Sequence, residues 1–133
     1  MSGEKNLKKL LSSISPVLMD GEYVFCSFED AQYGDHADLH PVAAISEGEG
    51  LTLVVPKLIA DQQGLHYESV FVGITLTVHS SLDAVGLTAA FSTRLSNRGI
   101  SANVIAGFFH DHIFVQKKLA GKAIAALKEL GHG

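Results

Sequence analysis

The apolar positions of this chain change period several times, and each change predicts an element. Leu7, Leu10, Leu11 and Ile14 recur at helical spacing, with Lys8, Lys9, Ser12 and Ser13 on the other side, so a short amphipathic helix is expected. Ser15-Pro16 ends it, because the residue before proline is pushed out of the helical region. Asp20-Gly21 is a turn signal, and Tyr23–Phe28 (YVFCSF) then predicts a strand rich in aromatic and β-branched residues. A polar loop over residues 29–40 follows. Residues 42–46 and 51–55 predict two strands of a hairpin that turns on Glu47-Gly48-Glu49-Gly50. Pro56 suits a first helical turn and Gly64 a C-terminal cap, giving a short helix over residues 56–63 with Leu58 and Ile59 inward.

The second half is more regular. Residues 71–78 alternate as a strand, with Ile74, Leu76 and Val78 on one face and Thr75 and Thr77 on the other. The loop at residues 79–86, HSSLDAVG, leads into a helix that Ser80 or Ser81 can cap, Ser80-x-x-Asp83 being a weak capping box. That helix buries Leu87, Ala90, Phe91 and Leu95 and ends at Asn97-Arg98-Gly99. Residues 100–109 and 113–115 predict a hairpin around His110-Asp111-His112. A last helix from about Lys117 carries Leu119, Ala123, Leu127 and Leu130 as its apolar stripe.

A duplication is visible beneath these elements. Ile45, Leu53, Val55, Lys57 and Ala60 match Ile105, Ile113, Val115, Lys117 and Ala120 at one constant offset, and both segments read hairpin then helix. Two α+β units follow, residues 1–67 and 68–133. The first lacks a helix between its first two strands, and the second lacks a final strand. A sheet one strand short exposes an edge. Strand exchange is therefore expected, with a strand such as Tyr23–Phe28 completing the second sheet.

Composition narrows the function. With 133 residues, 47% hydrophobic and 18% charged, the chain has enough apolar material for a core. A net charge of −4 argues against nucleic-acid or anionic-membrane partners, which need clustered Lys and Arg. Cys26 stands alone, so no intrachain disulfide forms and a reducing compartment is allowed. Neither a signal peptide nor a spanning apolar run is evident, so a cytoplasmic location is expected.

The chemistry-bearing residues offer little catalysis. His110 and His112 lie two apart, but zinc needs at least a third protein ligand, so a turn with flanking histidines is the preferred reading and no metal is expected. His36, His40 and His79 are not brought to them by any pattern. Cys26 sits within an apolar strand, where free cysteine is a small buried hydrophobe rather than an activated nucleophile. Phe108-Phe109 lacks the surrounding basic residues of an RNA-binding platform, which favours core or interface packing. The acidic residues Glu22, Glu29, Asp30, Asp35 and Asp38 show no spaced catalytic pair. No cofactor motif is present, and no enzymatic activity is expected.

The pattern of strand, Asp83-Ala84-Val85-Gly86, helix, then Gly99-Ile100-Ser101-Ala102-Asn103-Val104 entering a strand resembles an ACT domain, a ferredoxin-like βαββαβ module of antiparallel sheet with helices on one face. Over GEYVFCSFED, EGLTLVVPKLIADQQGL, ITLTVHSSLDAVGLTAA and GISANVIAGFFHDHIFV the chain is similar to small bacterial tandem-ACT proteins of uncharacterised function, and more distantly to cytosolic arginine sensors. The resemblance implies a regulatory module that binds a small metabolite, foremost an amino acid, at Ser80, Ser81, Asp83, Val85 and Gly86, with Asn103 and Val104 opposite. It also implies a homodimer. Where many ACT loops carry proline before the glycine, this chain has Val85. The physics suits such a site: a helix N-terminus attracts a ligand carboxylate, Asp83 suits an α-amino group, and Gly86 admits close backbone approach. The alternative is a structural dimerisation or protein-interaction module without a ligand, in which Asp83 and the serines only cap the helix and Asn103 only satisfies backbone groups.

Overall fold

The computed structural model describes residues 6–77 and 85–130. In chain order the elements are α1 (Leu7–Ser13), β1 (Pro16–Leu18), β2 (Tyr23–Phe28), β3 (Ala43–Glu47), β4 (Gly50–Pro56) and α2 (Lys57–Gln62). Then come β5 (Phe71–Leu76), α3 (Leu87–Asn97), β6 (Asn103–Ala106), β7 (Asp111–Gln116) and α4 (Ala120–Glu129). They form two compact units, one of Gly21–Phe71 and one of Met1–Asp20 with Val72–Gly133.

In the unit of residues 21–71, β4 lies between β3 and β2 and is antiparallel to both. Val24, Cys26, Leu51, Leu53 and Val55 bury one face of this sheet, closed over by Ala60 of α2 and by Leu39. Leu39 belongs to a 3-10 turn, Ala37–Leu39, flanked by His36 and His40, both left-handed. That turn anchors the polar loop where a helix would otherwise cross. Leu58 does not face inward as the apolar pattern suggests. It is 70% exposed, because α2 is under two turns long and turns only Ala60 and Ile59 to the sheet.

In the second unit the strands run in the order β1-β5-β7-β6. β1 is antiparallel to β5, with Pro16 opposite Leu76 and Leu18 opposite Ile74, and β6 is antiparallel to β7. Val72, Ile74, Leu76, Ile113 and Val115 project to one face, as alternation requires. Leu10 of α1, Leu87, Phe91 and Leu95 of α3, and Ala123, Ala126 and Leu127 of α4 cover that face. The result is a ferredoxin-like sheet whose fourth strand comes from the start of the chain.

Strand exchange is thus real, but the strand that runs along β5 is Pro16–Leu18, whereas Tyr23–Phe28 meets β5 only at Tyr23, opposite Phe71. β2 instead pairs with β4 along its whole length. The three-residue β1 was hidden because it opens on proline, which has no N–H to give a ladder but is tolerated at a strand's start.

Two local details position the helices. α3 ends in a Schellman arrangement, where Gly99 at φ +73° donates to the Ser96 carbonyl and Ile100 to that of Leu95. Arg94 and Arg98 of α3 both pair with Glu129 of α4 at the surface, where such bonds contribute little.

The duplication extends to strand register. Ala43 faces Val54, and Asn103 faces Phe114; Ile45 faces Thr52, and Ile105 faces His112. Every pair keeps the sequence offset on both strands, so the two hairpins are the same hairpin with different side chains.

Candidate functional site

The chain between β5 and α3 leads from a covered strand into a helix of eleven residues. Ser80, Ser81 and Asp83 lie outside the described residues. Val85 and Gly86 are described, and they fix where the helix starts. Gly86 is the N-cap of α3 at φ +98°, and its carbonyl accepts the Ala90 N–H at 2.9 Å. Helix α3 therefore begins at Leu87, and the expected serine cap is replaced by a glycine five residues beyond Ser81. Gly86 has no side chain with which to cap α3, so the first-turn N–H groups are left to other partners.

Glycine has a second reason at this position. A Cβ on Gly86 would come within 3.0 Å of the Leu7 side chain, so α1 packs against the start of α3. The exchanged segment thus supports the start of α3 as well as the sheet. Val85 is 84% exposed and touches no core.

Asn103 and Val104 open β6. Their side chains point to opposite faces: Val104 packs against the helix-covered core, while Asn103 is exposed and its amide donates to the Phe114 carbonyl at 3.1 Å. Asn103 thus holds the β6–β7 pairing whatever else it does.

The predicted turn at His110-Asp111-His112 is displaced. Asp111 and His112 are strand residues of β7, and the turn is made by residues 107–110. The shift follows from Gly107, whose N–H donates to the His110 carbonyl at 2.9 Å and whose missing Cβ leaves room for that oxygen and the His112 ring. Phe108 and Phe109 consequently sit at the hairpin tip, 61% and 59% exposed, rather than packed in the core. His112 Nδ1 lies 2.9 Å from Thr75 Oγ1, and among the described residues the buried Nδ1 of His110 has no hydrogen-bond partner.

Burial dominates the titration here. It raises the Asp111 carboxyl against the opposing pull of His112 and His110, and together with His110 it lowers the His112 imidazole, which Asp111 only partly offsets. A carboxyl raised on folding destabilises the native state once ionised. Asp111→Asn is therefore expected to raise the unfolding temperature at neutral pH, with the gain closing as pH falls through the folded carboxyl's pKa. Melts across that range check it; an unchanged or lower melting temperature at neutral pH would contradict the assignment.

Among the described residues, no group of three or more His, Cys, Asp or Glu could hold a metal ion. Cys26 is buried, and burial pushes its thiol up, away from nucleophilic use. Sequence reasoning did not find the open groove of about 320 Å³ lined by Phe28, Glu29, Asp30, Ala31, Asp35 and His36. The polarity of residues 29–40 marked the loop. The stacking of His36 on Phe28, with centroids 4.2 Å apart, had no signal in the sequence.

Two models described as ACT domains match the chain in tandem, one over residues 2–72 and the other over residues 70–129. The chain belongs to the ACT-domain family. ACT domains are regulatory modules that commonly bind amino acids and dimerise. Among solved structures, a protein of unknown function from Vibrio cholerae, described as a possible transport protein, is 54% identical with a TM-score of 0.86, covering 96% of this chain and 97% of that one. A protein from Agrobacterium tumefaciens is 18% identical with a TM-score of 0.73 over 89% of each chain. The ligand-free regulatory subunit of aspartate kinase from Thermus thermophilus is 10% identical with a TM-score of 0.62, covering 89% of this chain and 98% of that one. These last two similarities show the shared fold. No curated protein matches the chain. No helix among the described residues is long and apolar enough to cross a membrane.

Proposed function

We propose that this tandem ACT protein is a non-enzymatic, cytoplasmic regulatory module that binds a small metabolite, foremost an amino acid. The site is the loop of Ser80, Ser81, Asp83, Val85 and Gly86, with Asn103 and the Val104 backbone opposite. The observation that carries this reading is that a glycine, Gly86, with no side chain to cap with, opens α3 in a chain matched twice by ACT models. Its first-turn N–H groups suit a ligand carboxylate, and Asp83 suits the α-amino group. In sequence the two units divide at residues 67 and 68, with residues 1–20 packing in the second, so that Leu7 of α1 lies against Gly86.

Regulation would follow if the ligand binds one arrangement of the protein more tightly than another. A ligand of the native state raises the melting temperature by mass action. Thermal shift against each proteinogenic amino acid at millimolar concentration is expected to give at least one positive response. No response from any of them would remove the amino-acid reading. A second reading, an assembly module without ligand, is favoured by the exposed Phe108 and Phe109. Homodimerisation belongs to both readings.

A further inference from the structure

The charge of this chain is not spread evenly over its elements. The helices α1, α3 and α4, with the adjoining Arg98 and 3-10 turn Lys117–Leu119, hold eight basic residues and one acid, a net of +7. The two basic and thirteen acidic residues that remain give −11. Nine of those acids lie in residues 21–71, where Lys57 is the one base. The total of −4 speaks against anionic partners for the molecule as a whole, and it conceals a basic helical layer over the second unit's sheet.

The single acid of that layer is already matched. Glu129 accepts from both Arg94 and Arg98, so one carboxylate sits between two guanidinium groups. The lysines are left facing water. Lys8 and Lys9 of α1, Lys118, and Lys122 and Lys128 of α4 are exposed and form no ion pair among the described residues. Around α4 the lysines alternate with Gly121 and Ala125, also exposed, at spacings of three and four that put them on one side of the helix. The opposite side is held to the sheet by Ala123, Ala126 and Leu127. The small residues leave the ammonium groups unobstructed.

We infer that the outer face of α4, carrying Lys118, Lys122 and Lys128, is a docking surface for an acidic patch on a different protein. Charge complementarity selects that occupant. An acidic helix or loop fits within the ten residues of α4, which span about 15 Å. A nucleic-acid duplex carries a charge about every 1.7 Å and runs beyond the helix, where a chain that is otherwise −11 opposes its further phosphates. Arginine, whose planar fork suits phosphate, is occupied here on Glu129, and lysine is the outward group. No large apolar side chain is exposed on α1, α3 or α4 among the described residues, so the layer offers neither a stacking platform for bases nor an anchor for a bilayer. A second copy meeting this face about a two-fold axis would set lysine against lysine. The surface shares no residue with the proposed ligand loop. It goes beyond the ligand reading and gives the regulatory module a place to meet what it regulates.

Fluorescence anisotropy of a labelled oligoglutamate peptide with the full chain tests it. The unaltered protein is expected to bind the peptide at low salt and to release it as salt rises. Lys122→Gln combined with Lys128→Gln is expected to weaken binding at least about tenfold. Ala44→Glu combined with Ser46→Glu, at two exposed positions of β3, lowers the net charge equally and is expected to change the affinity less than about twofold. Circular dichroism melts of both variants should track the unaltered protein, which separates a lost contact from lost folding. No binding at low salt, or equal weakening by the two pairs of substitutions, would overturn the inference. Tighter binding to a DNA duplex or to phosphatidylserine vesicles than to the peptide would overturn it as well, as would a dimer in sedimentation that Lys122→Gln with Lys128→Gln dissolves.

Discussion

Leu10→Ala is expected to destabilise the unit containing residues 72–130 by about 2–5 kcal/mol, although Leu10 lies more than sixty residues away in sequence. Leu10 is almost wholly buried, in the same cluster as Ile74, Leu87, Phe91 and Leu127. Truncation to alanine leaves a cavity that α1, two turns long, is poorly able to refill. The same segment then continues into β1, flanked by Met19, whose N–H reaches the Gly73 carbonyl at 2.8 Å, and by Ser15, whose carbonyl accepts from Thr77. Removing residues 1–20 altogether is expected to do more, because β5 loses its outer strand and the sheet its α1 cover at once. Urea unfolding followed by hydrogen exchange at β5 and β7 checks both variants. Native-like protection of those strands without residues 1–20 would show that the exchange is dispensable.

The second large effect belongs to the other unit. Gly50 opens β4 at φ +139°, a conformation that residues with a Cβ rarely adopt. A Cβ there would collide with the Phe28 carbonyl oxygen and come within 2.8 Å of the Glu29 carbonyl and 2.9 Å of its Cα. All three obstacles are backbone, so no side chain can swing aside. Gly50→Ala is expected to cost about 3 kcal/mol or more, the sum of dihedral strain and a rigid clash. The comparison is Gly48→Ala in the same turn, where a Cβ meets nothing, which should change stability little. Equal melting temperatures for the two variants would contradict this account of the hairpin.

These two sites illustrate what the amino-acid order conveyed and what it hid. The hairpin turn was legible because Glu47-Gly48-Glu49-Gly50 separates two apolar runs. That Gly50 and not Gly48 is sterically required was not legible, since the difference comes from β2 passing alongside. The missing strand of the second unit was deducible from the count of elements in the duplication. Its identity was not, because Pro16–Leu18 is three residues long and shows no alternation, while YVFCSF offered a stronger strand signal. Leu58 misled for a related reason: apolar spacing in so short a helix does not determine which residue meets the sheet.

At the candidate site, the residue types that suit an amino acid could be named from the loop alone. The start of α3 could not, because Ser80 and Ser81 are better caps by type than Gly86. The chain chose glycine for its left-handed φ and its closeness to Leu7, and both depend on the tertiary fold. His110-Asp111-His112 shows the same limit. Asp111 looked like the turn residue, yet Gly107 takes the tight approach and the turn closes over residues 107–110, before Asp111.

The central claim is that an amino acid is held at the loop before α3, with Asp83 on its α-amino group. Titration calorimetry of the amino acid that responds in thermal shift, against the unaltered protein and against Asp83→Asn, tests it most directly. The account predicts saturable binding to the unaltered protein and a loss of about tenfold to a hundredfold in affinity for Asp83→Asn, the cost of one charge-assisted hydrogen bond. Equal affinity for the two proteins would contradict the assignment of the site.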